Sequence, residues 1–125
     1  MKLERLAWVR SEKVRGLEFK DNAGRKAVLI PGDVRNEQFN YDLVKQAYNE
    51  LGGLDNITLV AGHQQYHDDI HGFTTEQFAE TFETNVYPIF WTAQAATKYL
   101  KPGASITTTS SVQGYKPAAI LHDYA

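Results

Sequence analysis

With 125 residues the chain can bury one hydrophobic core and is too short for two. An apolar fraction of 42% with 22% charged residues excludes wholesale disorder, and a net charge of −2 gives no basic surface for nucleic acid or an anionic membrane. Without cysteine there are no disulfides or thiolate metal sites, no apolar run approaches the roughly 18 residues of a membrane span, and the charged opening is no secretion signal; composition points to a cytoplasmic domain.

Residues 1–23 are the least patterned; Val9, Val14 and Leu17 among charged residues suggest a short amphipathic helix that Gly16 weakens. Ala27 to Ile30 is a compact apolar run closed by Pro31-Gly32, which predicts a buried strand. Asn36 then offers a helix cap, and Leu43, Val44, Ala47 and Leu51 recur at helical spacing until Gly52-Gly53. A second buried strand is predicted over Ile57 to Ala61, followed by a polar, His-rich loop over 63–73. Thr74-Thr75-Glu76-Gln77 reads as a cap, and the apolar series from Phe78 to Leu100 predicts one long, largely buried helix that Pro88 bends. After Lys101-Pro102-Gly103 a third, β-branched strand runs from Ala104 to Thr109.

Strand–helix alternation with short connections predicts an α/β fold with a parallel sheet and right-handed crossovers. Ligands of open α/β sheets sit beyond the carboxyl ends of the strands, which here are Asp33-Val34, Ala61-Gly62-His63 and Ser110-Ser111. Asp33 can accept hydrogen bonds from a heterocycle or ribose, or simply cap a turn. Ala61-Gly62 lets a ligand approach the backbone, or is an ordinary turn. Ser111 and Tyr124 can meet on one carbonyl oxygen, the serine polarising it and the tyrosine moving the proton, provided a cation stabilises the phenolate. Taken separately, each has an equally ordinary structural explanation.

Taken together, in this order and spacing, they resemble the short-chain dehydrogenase/reductase family over roughly residues 24–125. Pro31-Gly32-Asp33-Val34 resembles the family's adenine-contacting aspartate motif. Leu59-Val60-Ala61-Gly62 stands where the family shows Asn-Asn-Ala-Gly, and departs at its first two positions. Thr84-Asn85-Val86 is similar to the active-site asparagine motif, Thr109 to Gly114 to the catalytic serine motif, and Tyr124-Ala125 to the start of Tyr-x-x-x-Lys. The resemblance implies a partial Rossmann-like, doubly wound parallel sheet and NAD or NADP as cofactor. It further implies hydride transfer between an alcohol and a carbonyl, with Asn85, Ser111 and Tyr124 catalytic. Asp33, Val34, Val60, Ala61 and Gly62 would bind cofactor, and the parent would be a homo-oligomer, dimeric or tetrameric. Gly53-Leu54-Asp55, Gly62 to Tyr66 and Thr74 to Phe78 carry a closer likeness to bacterial general stress proteins, glucose dehydrogenases and aldehyde reductases.

The family's Gly-rich phosphate turn is not found in these residues, and its lysine four positions past the tyrosine would lie beyond residue 125. The reading therefore expects a domain cut at both ends, with residues 1–23 a poorly matched segment and 24–125 the central part, inactive alone, its strand at 27–30 lacking its native neighbours beside those at 57–61 and 104–109. Two other readings stand beside it. A remnant without catalysis would bind a partner through the long helix, whose adjacent Phe90 and Trp91 cannot both face inward. A metal-binding module would use His63, His67 and His71 with Asp68 and Asp69, should that segment be helical.

Overall fold

A computed structural model describes residues 5–8 and 26–124. The predicted helix around Val9, Val14 and Leu17 lies outside them. Just before it, Arg5–Trp8 forms strand β1, which pairs in parallel with β2, Lys26–Leu29, from Arg5 opposite Lys26 to Trp8 opposite Leu29. Helix α1 covers Glu37–Leu51 and strand β3 covers Asn56–Leu59. Helices α2, Thr75–Asn85, and α3, Tyr87–Ala96, precede strand β4, Ser105–Thr108, which pairs in parallel with β3. Among the described residues the strands form two separate two-stranded sheets, β1-β2 and β3-β4.

The caps form where the sequence placed them. Asn36 accepts a hydrogen bond from the Phe39 amide at 3.0 Å, and α1 ends on Gly52 at φ 71°, a left-handed conformation that glycine adopts without strain. Thr74 and Gln77 complete a reciprocal capping box on α2.

Helix α1 is the centre of packing. On one side Ala47 and Leu51 bury against Val28 and Ile30, with Phe39, Leu43 and Leu54 around them. On the other, Val44 meets Ala95 and Ala96 of α3, flanked by Ile57 and Tyr99. A polar seam runs through this core. Buried Asn40 donates to the carbonyls of Val34 and Asn36, both at 2.7 Å, and accepts from the Thr92 hydroxyl at 3.3 Å. Its four hydrogen-bonding positions are thereby largely satisfied, which a buried amide requires.

Three expectations change. The single long helix is two, because Pro88 has no amide to donate back along the helix, and the chain breaks at Val86. Nor is that region largely buried: Thr81, Pro88, Thr92, Ala95 and Ala96 face inward, while Phe78, Phe82, Val86 and Phe90 are exposed, Phe90 by 63%. The second strand is half-covered rather than buried and stops at Leu59, leaving Val60 and Ala61 exposed beyond it. Its alternation of exposed Asn56 and Thr58 with half-buried Ile57 and Leu59 is what one covered face produces. Neighbouring β4 is exposed at all four positions.

Candidate active site

The turn after β2 is shaped by a close contact. A Cβ at Gly32 would lie 2.0 Å from the Phe39 ring, so only glycine lets the chain pass here as built. Asp33 follows, and its carboxylate is held by Arg35. The Arg35 amide donates to Oδ1 at 2.9 Å, Nη2 to Oδ2 at 2.8 Å, and Nε to both oxygens at 3.1 and 3.2 Å. These hydrogen bonds, side-chain first, hold the Asp33 pKa below the usual carboxylate value and raise that of Arg35. Asp33 is thus a fixed, exposed anionic acceptor. The same guanidinium reaches into α2 through Nη1, 2.9 Å from Glu80 Oε1.

At the exit of β3, Val60, Ala61 and Gly62 are exposed. Among the described residues the one atom within 4 Å of a Cβ placed on Gly62 would be Asn85 Oδ1, at 3.9 Å, so they leave the backbone here open to close approach. Asn85 holds the next residue: its Oδ1 accepts from the His63 amide at 2.7 Å and its Nδ2 donates to the His63 carbonyl at 2.8 Å. The buried His63 Nε2 makes no hydrogen bond among the described residues and lies 4.0 Å from Glu80 Oε2.

The His-rich loop does not form the helix that a metal site would have needed. His67 stacks edge-on against Phe73 at 4.4 Å and its amide bonds to the Ile120 carbonyl at 3.0 Å. Asp69 caps a 3-10 turn, Ile70–Gly72, that contains His71. Among the described residues no group of three or more His, Asp or Glu side chains is placed to hold a metal ion.

Beyond β4, Ser111 caps a second 3-10 turn, Val112–Gly114, its Oγ accepting from the Gln113 amide at 3.2 Å. Gln113 in turn accepts from the Ala118 amide at 2.7 Å. Tyr124 is half-buried in a turn whose amide bonds to the Leu121 carbonyl at 3.3 Å. Its neighbour Asp123 is buried and accepts a hydrogen bond from the Thr81 hydroxyl of α2, while Asp123 Oδ1 has no partner among the described residues. No hydrogen bond joins Ser111 to Tyr124 among the described residues.

One helix therefore touches three of the segments that carry the candidate residues. Through Glu80 it meets the β2 exit, through Asn85 the β3 exit, and through Thr81 the turn bearing Tyr124. Arg35, Glu80, Thr81, Asp123 and Asn40 were not singled out in the sequence. The Asp33–Arg35 spacing within a turn was a local signal that could have been read; pairs 42, 45 and 52 residues apart carry none.

Parallel strands linked by helices, with polar groups gathered past their carboxyl ends, define a Rossmann-like α/β domain. The family model for short chain dehydrogenases matches residues 7–125, and the chain belongs to that family. It is 55% identical over 108 residues to the uncharacterized oxidoreductase YhxD of Bacillus subtilis, covering 86% of this chain and 36% of that protein. General stress protein 39 of the same organism is 40% identical, over 83% of this chain and 36% of its own length, matching the likeness seen in the sequence. A putative dehydrogenase of Burkholderia cenocepacia with bound NADP superposes with a TM-score of 0.81 at 12% identity, over 97% of this chain and 48% of that one. The chain thus spans little more than a third of the length of the curated relatives it matches.

Proposed function

We propose that this chain carries the central part of an NAD(P)-dependent oxidoreductase that interconverts an alcohol and a carbonyl compound. The observation that carries the reading is the placement of Asp33, the open Val60-Ala61-Gly62 edge and Ser111 past the ends of β2, β3 and β4, in the order of the family to which the chain belongs. Residues 24–125 hold all of these groups.

The residues present suit the adenosine end of a dinucleotide. Asp33 offers an ionised, exposed carboxylate, able to accept from an exocyclic amine or a ribose hydroxyl in place of one of its Arg35 hydrogen bonds. Val60 supplies exposed apolar surface for a flat ring, and Gly62 leaves room for it. The Burkholderia cenocepacia protein binds NADP, which supports the class of cofactor and leaves NAD and NADP both open. When bound, the cofactor supplies or takes up the hydride.

The chain's own groups do the rest. Ser111 orients and polarises the substrate oxygen by donating its hydroxyl proton to it, while its Oγ still accepts from the Gln113 amide. Tyr124 gives or takes the proton at that oxygen. Asn85, through its grip on His63, supports the proton path and keeps the cofactor edge at Gly62 in place. We assign turnover to the whole protein and recognition of the adenosine end to this chain. The exposed Phe78, Phe82, Val86 and Phe90 support assembly into a homo-oligomer. No helix among the described residues is long and apolar enough to cross a membrane.

The test is amide NMR of the chain titrated with NADPH and with NADH. Saturable shifts centred on Asp33, Val34 and Val60 to Gly62 are expected with at least one of them. Shifts absent from these residues, or scattered over the surface, refute the reading.

A further inference from the structure

Ser111 and Tyr124 stand at the two ends of one connection, and hydrogen bonds run through it from end to end. Ser111 Oγ accepts from the Gln113 amide at 3.2 Å, and Gln113 Oε1 accepts from the Ala118 amide at 2.7 Å. The Ala118 carbonyl accepts from the Leu121 amide at 3.0 Å, and the Leu121 carbonyl from the Tyr124 amide at 3.3 Å. Three of these links are tight turns that bond residues two or three apart. The remaining one is made by the Gln113 side chain across five residues. Gly114 to Pro117 lie exposed between its ends, Tyr115 by 93%, so this side chain draws together the neck of a protruding loop. The outer ends are fastened elsewhere. On the serine side the Thr109 amide donates to the Leu59 carbonyl at 3.0 Å, and on the tyrosine side Leu121 is buried and Asp123 is bonded to Thr81. Those anchors set how deep each end sits in the domain. How the Tyr124 turn approaches Ser111 is left to the loop between them.

We infer that Gln113 is a positioning residue: its side-chain oxygen closes the 113–118 loop and so sets the approach of the Tyr124 turn to Ser111. The inference rests on the proposed function, because it treats the serine and the tyrosine as one site. Gln113 need not touch the substrate. It is suited to the task because its backbone amide serves Ser111 while its own side chain reaches Ala118, so one residue meets both sides of the loop. The donor it meets is the first on the returning strand of the loop, since the Lys116 amide is used by the Val112 carbonyl and Pro117 has none. An unpinned loop of this kind samples many backbone arrangements, and a hydrogen bond across its neck removes most of them. The Gln113 amide also occupies the accepting side of Ser111 Oγ, which leaves the hydroxyl proton to be donated to substrate.

Hydrogen exchange and NMR of the 125-residue chain test this, with NADPH and NADH titrations run on the same samples. Gln113→Met keeps the side chain's length and the backbone bond to Ser111 but removes the acceptor. Exchange of the Ala118 amide should quicken about three- to tenfold, the range of one lost hydrogen bond. The Tyr124 ring signals should move with it, although the substitution touches none of that residue's own hydrogen bonds. Gln113→Glu keeps an accepting oxygen at the same reach and should restore both readouts; Gln113→Asn, one methylene shorter, should restore neither. Tyr124 signals unmoved in Q113M overturn the inference, and so does Q113E behaving as Q113M does. Exchange that quickens equally throughout α1 in Q113M also overturns it, since that is general destabilisation and not release of one loop. If neither NADPH nor NADH shifts any signal of the wild-type chain, it is the proposed function that fails, while the Tyr124 response to Q113M still decides whether Gln113 sets the turn.

Discussion

Asn85 grips the backbone of His63 with both ends of its side-chain amide, accepting from the amide at 2.7 Å and donating to the carbonyl at 2.8 Å. This is the geometry of a strand partner supplied by a side chain, one residue past the point where Gly62 must stay open. Asn85→Ala leaves both His63 groups without that partner, and a stability loss of about 1–3 kcal/mol is expected by denaturant unfolding. Asn85→Asp keeps an acceptor but faces the His63 carbonyl with a negative charge. It should speed exchange of the His63 amide with solvent less than alanine does, while costing at least as much stability.

The Asp33–Arg35 pair sets a pH dependence. The folded pKa of Asp33 lies below its ordinary value of 3.8, so the pair's contribution is fully present above that pH and is lost as pH falls through the lower, folded value. A carboxyl-carbon NMR titration should show Asp33 ionising below 3.8, and Arg35→Met should return it toward that value. Because the pair is exposed, its share of acid unfolding is small.

Gly32→Ala places a methyl group 2.0 Å from the Phe39 ring, which itself packs against Val28, Ile30, Ala47 and Leu51. Overpacking of this kind costs about 1–3 kcal/mol. The double variant Gly32→Ala/Phe39→Leu should lose less stability than the two single changes summed, since the smaller side chain removes the clash. Strict additivity in thermal or denaturant unfolding would disprove the contact.

Thr81 and Asp123 form a buried polar pair in which the aspartate already has one unpartnered oxygen. Thr81→Val preserves shape and removes the donor, leaving both oxygens unsatisfied. A loss of about 1–3 kcal/mol is expected, together with broadening of the Tyr124 ring signals as the turn loosens. Unchanged Tyr124 signals would show that the pair does not hold the tyrosine.

The stripe of Phe78, Phe82, Val86 and Phe90 predicts concentration-dependent association. Sedimentation of wild type should show species larger than a monomer, and Phe82→Ser/Phe90→Ser should shift the distribution toward monomer. These positions are exposed, so the variant should retain its fold, which circular dichroism would verify.

Local chemistry was legible wherever the signal and its structural consequence lay within one or two turns of chain. Asn36 caps α1, Gly52 ends it and the Thr74–Gln77 box opens α2, because each acts on amides three or four residues away. The parallel pairing followed from the alternation of elements. Exposure did not follow. The apolar run from Phe78 to Phe90 has the composition of a core helix, but α3 meets α1 through Thr92, Ala95 and Ala96, and α2 buries only Thr81, against Asp123.

The residues themselves determined the family, the element order and the candidate groups Asp33, Gly62, Asn85, Ser111 and Tyr124, since these are encoded by spacing along the chain. Tertiary structure alone decided what holds them. Asp33 meets Glu80 through Arg35, Asn85 meets His63 and Thr81 meets Asp123 across separations of 22 to 45 residues. Such pairs form only once helix packing has fixed where α2 lies. A hydrogen bond is decided by an ångström of position, and no pattern of neighbours along the chain carries that information.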